Sequence, residues 1–316
     1  MLDVLKNKII EAGGFVNAHA HLDRANTANY FSKEEQYELL EEKWKLVDRI
    51  KGKSDYWTYK VRIGDAVTDQ IKKGVSAICT FVDVDNITSS KAYIAAREIS
   101  EERKSEITLL TAMQTLKGVL DPNVQVVMRN AAAGVNIIGS LPGADKGRED
   151  EHIDWIMNAA KRYKKLVHVH VDQLNTQKEK ETEWLARKTI EHGLEGRVTA
   201  VHSISLACPP IHYRKEVYKI CQDAGLSFIA CPGAWIDHPR REDLAPIHNS
   251  ITPVDELLKH DLIVAIGSDN IHDVYKPFAD GDMMFELRLL LEACKIYDID
   301  DLVKIATING KKVLGL

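Results

Sequence analysis

Cysteine is scarce. The five cysteines (Cys79, Cys208, Cys221, Cys231 and Cys294) are scattered, odd in number and never in a CxxC pair. That excludes a disulfide framework and the usual thiolate zinc site. Long apolar runs are missing as well. No stretch approaches the roughly 20 residues that cross a bilayer, so no membrane partner is expected. Nor is there excess positive charge. With 42 Lys and Arg against 47 Asp and Glu, the net charge is −5, and a nucleic-acid partner has no basic surface to hold it. No GxGxxG or GxxxxGK[ST] follows a strand-like run, which removes the usual reason to expect a nucleotide-binding doubly wound sheet. The opening "MLDVLKNKIIEAGG" lacks the basic start and apolar stretch of a signal peptide. Together with unpaired thiols, this makes a reducing cytoplasm the expected location.

What the chain does have is a regular alternation. Short runs rich in Val, Ile and Ala recur: "GFVNAHAHL", "SAICTFVDV", "EITLLTAMQ", "VNIIGSLP", "KLVHVHVDQ", "RVTAVHSIS", "LSFIACPG" and "IVAIGSDNI". They are mostly apolar on both faces, the pattern of parallel strands covered on both sides. Amphipathic segments of helical period lie between them. Eight such units in 316 residues predict a single (β/α)8 barrel domain over residues 1–316. The first connection, Asp23 to about Thr68, is unusually long. Ser32 to Ile50 reads as one helix opened by the capping box "SKEE", and "KGKSDYWTYK" as a solvated face. In a barrel this connection lies on the side where active sites collect, as a lid, a substrate wall or a plain insertion.

The histidines carry the chemistry. His19 and His21 are two residues apart on the first strand and point the same way. His170 lies near the end of the fifth strand, with His168 one layer deeper as a core histidine. His202 ends the sixth strand, and Asp269 ends the eighth in "GSDN". All sit where strands reach the C-terminal rim. Buried imidazoles and a buried carboxylate need partners, and one divalent transition metal satisfies all of them.

This ordered set resembles the amidohydrolase superfamily, and within it the cytosine-deaminase-like branch. That branch includes the enzyme that removes isopropylamine from N-isopropylammelide. The resemblance runs from "VNAHAHLDRANT" through "HVHVDQLN" and "GRVTAVHSIS" to "SDNIHDVYKPFADGDMM". It implies His19, His21, His170 and Asp269 as ligands of one Zn2+ or Fe2+, since "VNIIGSLPG" offers no lysine to bridge a second ion. It implies Asp269 as the proton carrier and His202 as a hydrogen-bonding partner of the attacking water or the tetrahedral centre.

Three departures qualify the resemblance. Cytosine-specific members have Glu where this chain has Gln173, and an amide cannot shuttle a proton. They have a second Asp where this chain has Asn270. Both changes argue against cytosine itself and for another heterocycle or an amide. Only about a dozen residues precede the first strand and the chain stops at "VLGL", so the accessory β-sandwich of these relatives is expected to be absent.

Further candidates come from position. Gln114 ends the third strand and could read a substrate edge. Trp235, Asp237 and His238 follow the seventh strand on a loop that should overhang the pocket, Trp235 either stacking on a ring or packing on its own barrel. Asp172 orients a ligand or starts a helix. Asp23 and Arg24 touch a substrate or pair with each other, and His272 and Asp273 cap a helix or line the pocket. The resulting expectation is a metal-dependent hydrolase that deaminates an amino-substituted nitrogen heterocycle, with Asp269, His202 and Gln173 catalytic and Asn270, Gln114, Trp235 and Asp237 binding substrate. Two alternatives stay open: hydrolysis of a cyclic or acyclic amide, and a non-catalytic relative that keeps the metal and binds a small ligand. A homo-oligomer is possible on the resemblance.

Overall fold

A strand that is apolar on both faces needs helices outside it and side chains packed inside a closed sheet. The computed structural model, which describes residues 1–316, has that form. Eight parallel strands run in sequence order: β1 (Phe15–Ala20), β2 (Val75–Asp83), β3 (Thr108–Gln114), β4 (Ile137–Ser140), β5 (Leu166–Val171), β6 (Val198–His202), β7 (Ser227–Ala230) and β8 (Val264–Ile266). All eight predicted strands are present, in a single sheet with no accessory sheet beside it.

The helices are α1 (Leu2–Glu11), α2 (Leu40–Lys53), α3 (Tyr56–Lys72), α4 (Lys91–Glu102), α5 (Pro122–Ala132) and α6 (Glu149–Tyr163), then α7 (Glu181–Glu191), α8 (Ile211–Asp223), α9 (Val254–Lys259), α10 (Met283–Cys294), α11 (Ile299–Ala306) and α12 (Ile308–Leu314). None is long and apolar enough to cross a membrane. The architecture is a (β/α)8 barrel. An outer apolar layer fills the space between strands and helices. An inner layer, including Val16, Ala18, Cys79 and Phe81, fills the barrel and is closed from below by Val313 and Leu314 of α12.

The barrel closes at a narrow seam. β1 and the segment just after β8 share one bridge, Ala20 with Asp269. The His21 N–H donates to the Asp269 carbonyl, and the Asp269 N–H to that of His19, both at 2.9 Å. Gly267 makes this approach possible. A Cβ there would stand 2.7 Å from both the Cβ and the carbonyl oxygen of His19. β1 also carries an extra residue against β2: Asn17 faces Ile78, yet Ala20 faces Thr80. A bulge of this kind re-aims side chains. Ala18 belongs to the inner layer, and its neighbour His19 also turns inward, its ring centre 4.5 Å from that of Phe81.

The long first connection differs from its prediction. Ser32 to Ile50 is not one helix. A 3-10 turn covers Glu34–Tyr37, the chain is extended at Glu38 and Leu39, and α2 begins only at Leu40. Ser32 Oγ does accept the Glu35 N–H at 3.4 Å, but it caps just that turn. The turn buries no side chain, whereas α2 buries Leu46, Val47 and Ile50 at helical spacing. Burial, not the cap, sets where the helix starts. "KGKSDYWTYK" is likewise no simple solvated face: Lys51, Ser54 and Tyr59 are buried, and Asp55 caps α3 through the Thr58 N–H.

Candidate metal centre and substrate pocket

Four histidines and one aspartate converge at the C-terminal end of the barrel interior. His19 and His21 come from β1 and its end, His170 from β5, His202 from the end of β6 and Asp269 from just beyond β8. All five are buried. His19 Nε2 and His21 Nε2 lie 3.4 and 3.2 Å from Asp269 Oδ1. His170 Nε2 lies 3.4 Å from His21 Nε2. Donor atoms of His19, His21 and Asp269 all fall within 4.8 Å of one another, and so do those of His19, His170 and His202. Several residues at this rim hold positive φ, among them Asp172, His202, Ser203 and Asp269. Non-glycine residues adopt that conformation at a cost, and such residues cluster at functional sites.

Charge and hydrogen bonding fit a cation at the centre of this cluster. Burial pulls His19, His21 and His202 down to about 4 and His170 well below its ordinary value. They are therefore neutral at pH 7, the form that binds metal. His170 Nδ1 faces the Ser140 carbonyl at 3.1 Å, so donating its proton there leaves a lone pair on Nε2. Burial pushes the Asp269 carboxyl up, but its contacts with His19 and His21 outweigh that and hold it well below the usual range. Both ring nitrogens of His19 and Oδ1 of Asp269 are buried without any hydrogen-bond partner. Unsatisfied buried polar atoms are costly, and a divalent ion among them removes the cost.

The cluster forms the floor of a pocket. Its walls include Arg24, Leu40, Trp44, Gln114, Gln173 and Asn270, together with Asp237, Tyr275 and Lys276. The family model of amidohydrolases matches residues 12–316. The chain belongs to the amidohydrolase family. It is 43% identical over 263 residues to an uncharacterised protein of Haemophilus influenzae, covering 80% of this chain and 94% of that one. It is 26% identical over 319 residues to N-isopropylammelide isopropyl amidohydrolase of Pseudomonas sp. (strain ADP), covering 96% of this chain and 74% of that one. The crystal structure of 5-methylcytosine deaminase from Klebsiella pneumoniae liganded with 5-fluorocytosine superposes with a TM-score of 0.89. It is 25% identical and spans 96% of this chain and 75% of that one.

Within this amidohydrolase barrel, the pocket gathers most of the side chains singled out in the sequence. Gln114 Nε2 donates to Asp83 Oδ1 at 2.8 Å and stands 3.4 Å from His21 Nδ1. Asn270 Nδ2 donates to Asp273 Oδ2 at 2.7 Å. Asp237 lines the pocket and pairs with Lys43 of α2 at 2.8 Å. Arg24 pairs not with Asp23 but with Asp273, at 3.3 Å.

Trp235 takes the packed position of its two readings. It is buried away from the pocket and donates its indole N–H to Thr252 Oγ1 at 3.0 Å. Thr252 in turn donates to the backbone carbonyl of His202. Trp235 supports that strand end and is not among the residues that line the pocket. The aromatic wall is supplied instead by Trp44 and Tyr275. Trp44 lay in the connection read as a possible wall, but nothing in "EEKWKLV" separates a pocket-facing tryptophan from a packed one. Asp172 resolves toward the helix start: its carboxylate accepts the N–H groups of Glu181 and Thr182 at the head of α7. His168 is a core histidine, its Nε2 2.9 Å from the Val313 carbonyl.

Proposed function

We propose that this chain acts as one catalytic barrel that hydrolyses a C–N bond at an sp2 carbon of an amino-substituted nitrogen heterocycle, releasing ammonia or a small amine. The observation that carries this reading is the buried cluster of His19, His21, His170 and Asp269, with unpartnered donor atoms, at the floor of a pocket walled by amides and aromatics. Those four residues would hold one divalent ion, Zn2+ or Fe2+. Such an ion supplies Lewis acidity and brings the pKa of water toward about 7.

The chain's own groups account for the rest. Asp269 takes the proton of the attacking water and delivers it to the departing nitrogen. Its contacts with His19 and His21 keep it ionised, the form that can take a proton. His202 faces the same space from β6 and hydrogen-bonds the oxygen that adds to the ring carbon as charge builds there. Gln173, Asn270 and Gln114 orient the ring through hydrogen bonds, and Trp44 and Tyr275 offer it flat apolar surfaces. Gln173 offers no ionisable proton, which favours substrates that need no protonation of the ring at that edge.

The test is ammonia or amine release by protein loaded with Zn2+ or Fe2+, over amino-substituted pyrimidines, triazines and pterins, with product analysis. A new ring carbonyl with stoichiometric amine is the expected product. A new carboxylate from ring opening would move the assignment to amide hydrolysis. Silence from metal-loaded protein across the panel would overturn the deaminase reading.

A further inference from the structure

Two cationic side chains of the pocket keep donors that its carboxylates do not fill. Asp237 is paired with Lys43 at 2.8 Å. Asp269 sits among the histidines. Asp273 is filled from four sides: Arg24 Nε and Asn270 Nδ2 reach one oxygen, and the backbone N–H groups of Tyr275 and Lys276 reach the other. Lys276 has no such carboxylate. Its ammonium donates only to the backbone carbonyl of Ile236, and burial pulls its proton affinity down. Arg24 is buried, with its guanidinium 5.0 Å from the centre of the Tyr275 ring. Only its Nε makes a hydrogen bond; Nη2 stands 3.7 Å from Asp269 Oδ1, and both Nη groups are left to donate into the pocket.

An ammonium with no carboxylate in contact and a guanidinium with free Nη groups can each take a further acceptor, and a guanidinium fork is shaped to receive an oxyanion. We propose that Arg24 and Lys276 form an anion-binding wall, and that the substrate is a nitrogen heterocycle bearing an oxyanion, either a carboxylate or an ionised ring oxygen. The Tyr275 ring fixes the guanidinium between β1 and the segment after β8. This places the oxyanion on the side of the ring nearest Arg24. The inference rests on the pocket being the substrate site of the proposed hydrolysis.

The experiment is calorimetric titration of metal-loaded protein with matched ligands: cytosine-5-carboxylate against cytosine-5-carboxamide, orotate against orotamide, and barbiturate against uracil. Hydrogen bonds between ions favour the charged member by about ten- to a hundredfold in at least one pair. Lys276→Met should collapse that ratio to within about threefold, and Lys276→Arg should keep it; circular dichroism checks that both variants fold. The proposal is overturned if the neutral members bind as tightly in every pair, if no oxyanion binds, or if the preference survives both Lys276→Met and Arg24→Met. Amine release measured on the same ligands separates the two readings. Preferential binding of oxyanions with no turnover anywhere counts against the hydrolysis and not the wall. Turnover of neutral rings alone counts against the wall and not the hydrolysis.

Discussion

Lys51 Nζ lies 2.7 Å from a carboxylate oxygen of Asp83, with both side chains buried. The same ammonium reaches Asp85 at 2.7 Å, and the other oxygen of Asp83 receives Gln114, which abuts His21. α2, the helix that brings Trp44 to the pocket, is thus tied through three side chains to a candidate metal ligand.

Lys51→Met leaves two carboxylates buried together. Breaking a buried ion pair from one side costs about 3–5 kcal/mol. The urea midpoint should fall accordingly, and a second change, Asp83→Asn, should restore part of the loss. A midpoint equal to that of the parent protein would show that water or another cation replaces Lys51.

His170 and His202 should separate ligand from catalyst. His170→Ala removes a nitrogen from the cluster, so metal content measured by atomic emission should fall well below one ion per chain. His202→Ala should keep the metal and lower turnover by about 10²- to 10⁴-fold, the usual range for a group that assists proton or charge movement. Loss of metal from His202→Ala would make it a ligand.

Trp44 and Trp235 make opposite predictions. Trp44→Ala should raise KM with little change in Tm. Trp235→Phe removes one buried donor to Thr252, which costs about 0.5–1.5 kcal/mol of stability, and should leave KM nearly unchanged. Exchanged outcomes would put Trp235 back in the pocket.

Gly267→Ala tests the seam. Its Cβ would meet His19 Cβ at 2.7 Å, so β1 and β8 must move apart. Overpacking of this kind costs about 1–3 kcal/mol. Metal affinity should drop with stability, because His19 and Asp269 lie on opposite sides of the strained contact.

Asp172, Glu179 and Glu181 set a pH dependence. Burial and the nearby charge of Asp172 push Glu179 up from about 4.5 to about 8. A carboxyl raised in the folded state keeps its proton while the unfolded chain releases one. Its stabilising contribution is complete below about 4.5 and is lost as pH rises toward 8. The Tm of Glu179→Gln should therefore exceed that of the parent protein at pH 8 and approach it at pH 4.5. Parallel Tm curves would refute the assignment.

The eight strands were legible because both faces of each are buried, which leaves a run of Val, Ile and Ala that no surface element shares. His19, His21, His170, His202 and Asp269 were legible because each interrupts such a run, or follows it directly, at its C-terminal end. Trp235 was not, because the direction of a loop aromatic is chosen by a distant partner, here Thr252. Arg24 was half legible: its place beside the histidines was visible, but Asp273, its partner, lies 249 residues away. The break before α2 was hidden by a capping pattern that is satisfied locally within a 3-10 turn.

The seam between β1 and β8 also orders events in time. His19 and His21 leave the ribosome with the first strand of the barrel, and Asp269 only after seven more strands have followed. Until then the first histidines have neither the carboxylate nor the backbone bridge that completes their surroundings. Between those two events a nascent chain holds only part of the cluster. The cluster of His19, His21 and Asp269 is complete only when the segment after the barrel's last strand arrives and closes the ring.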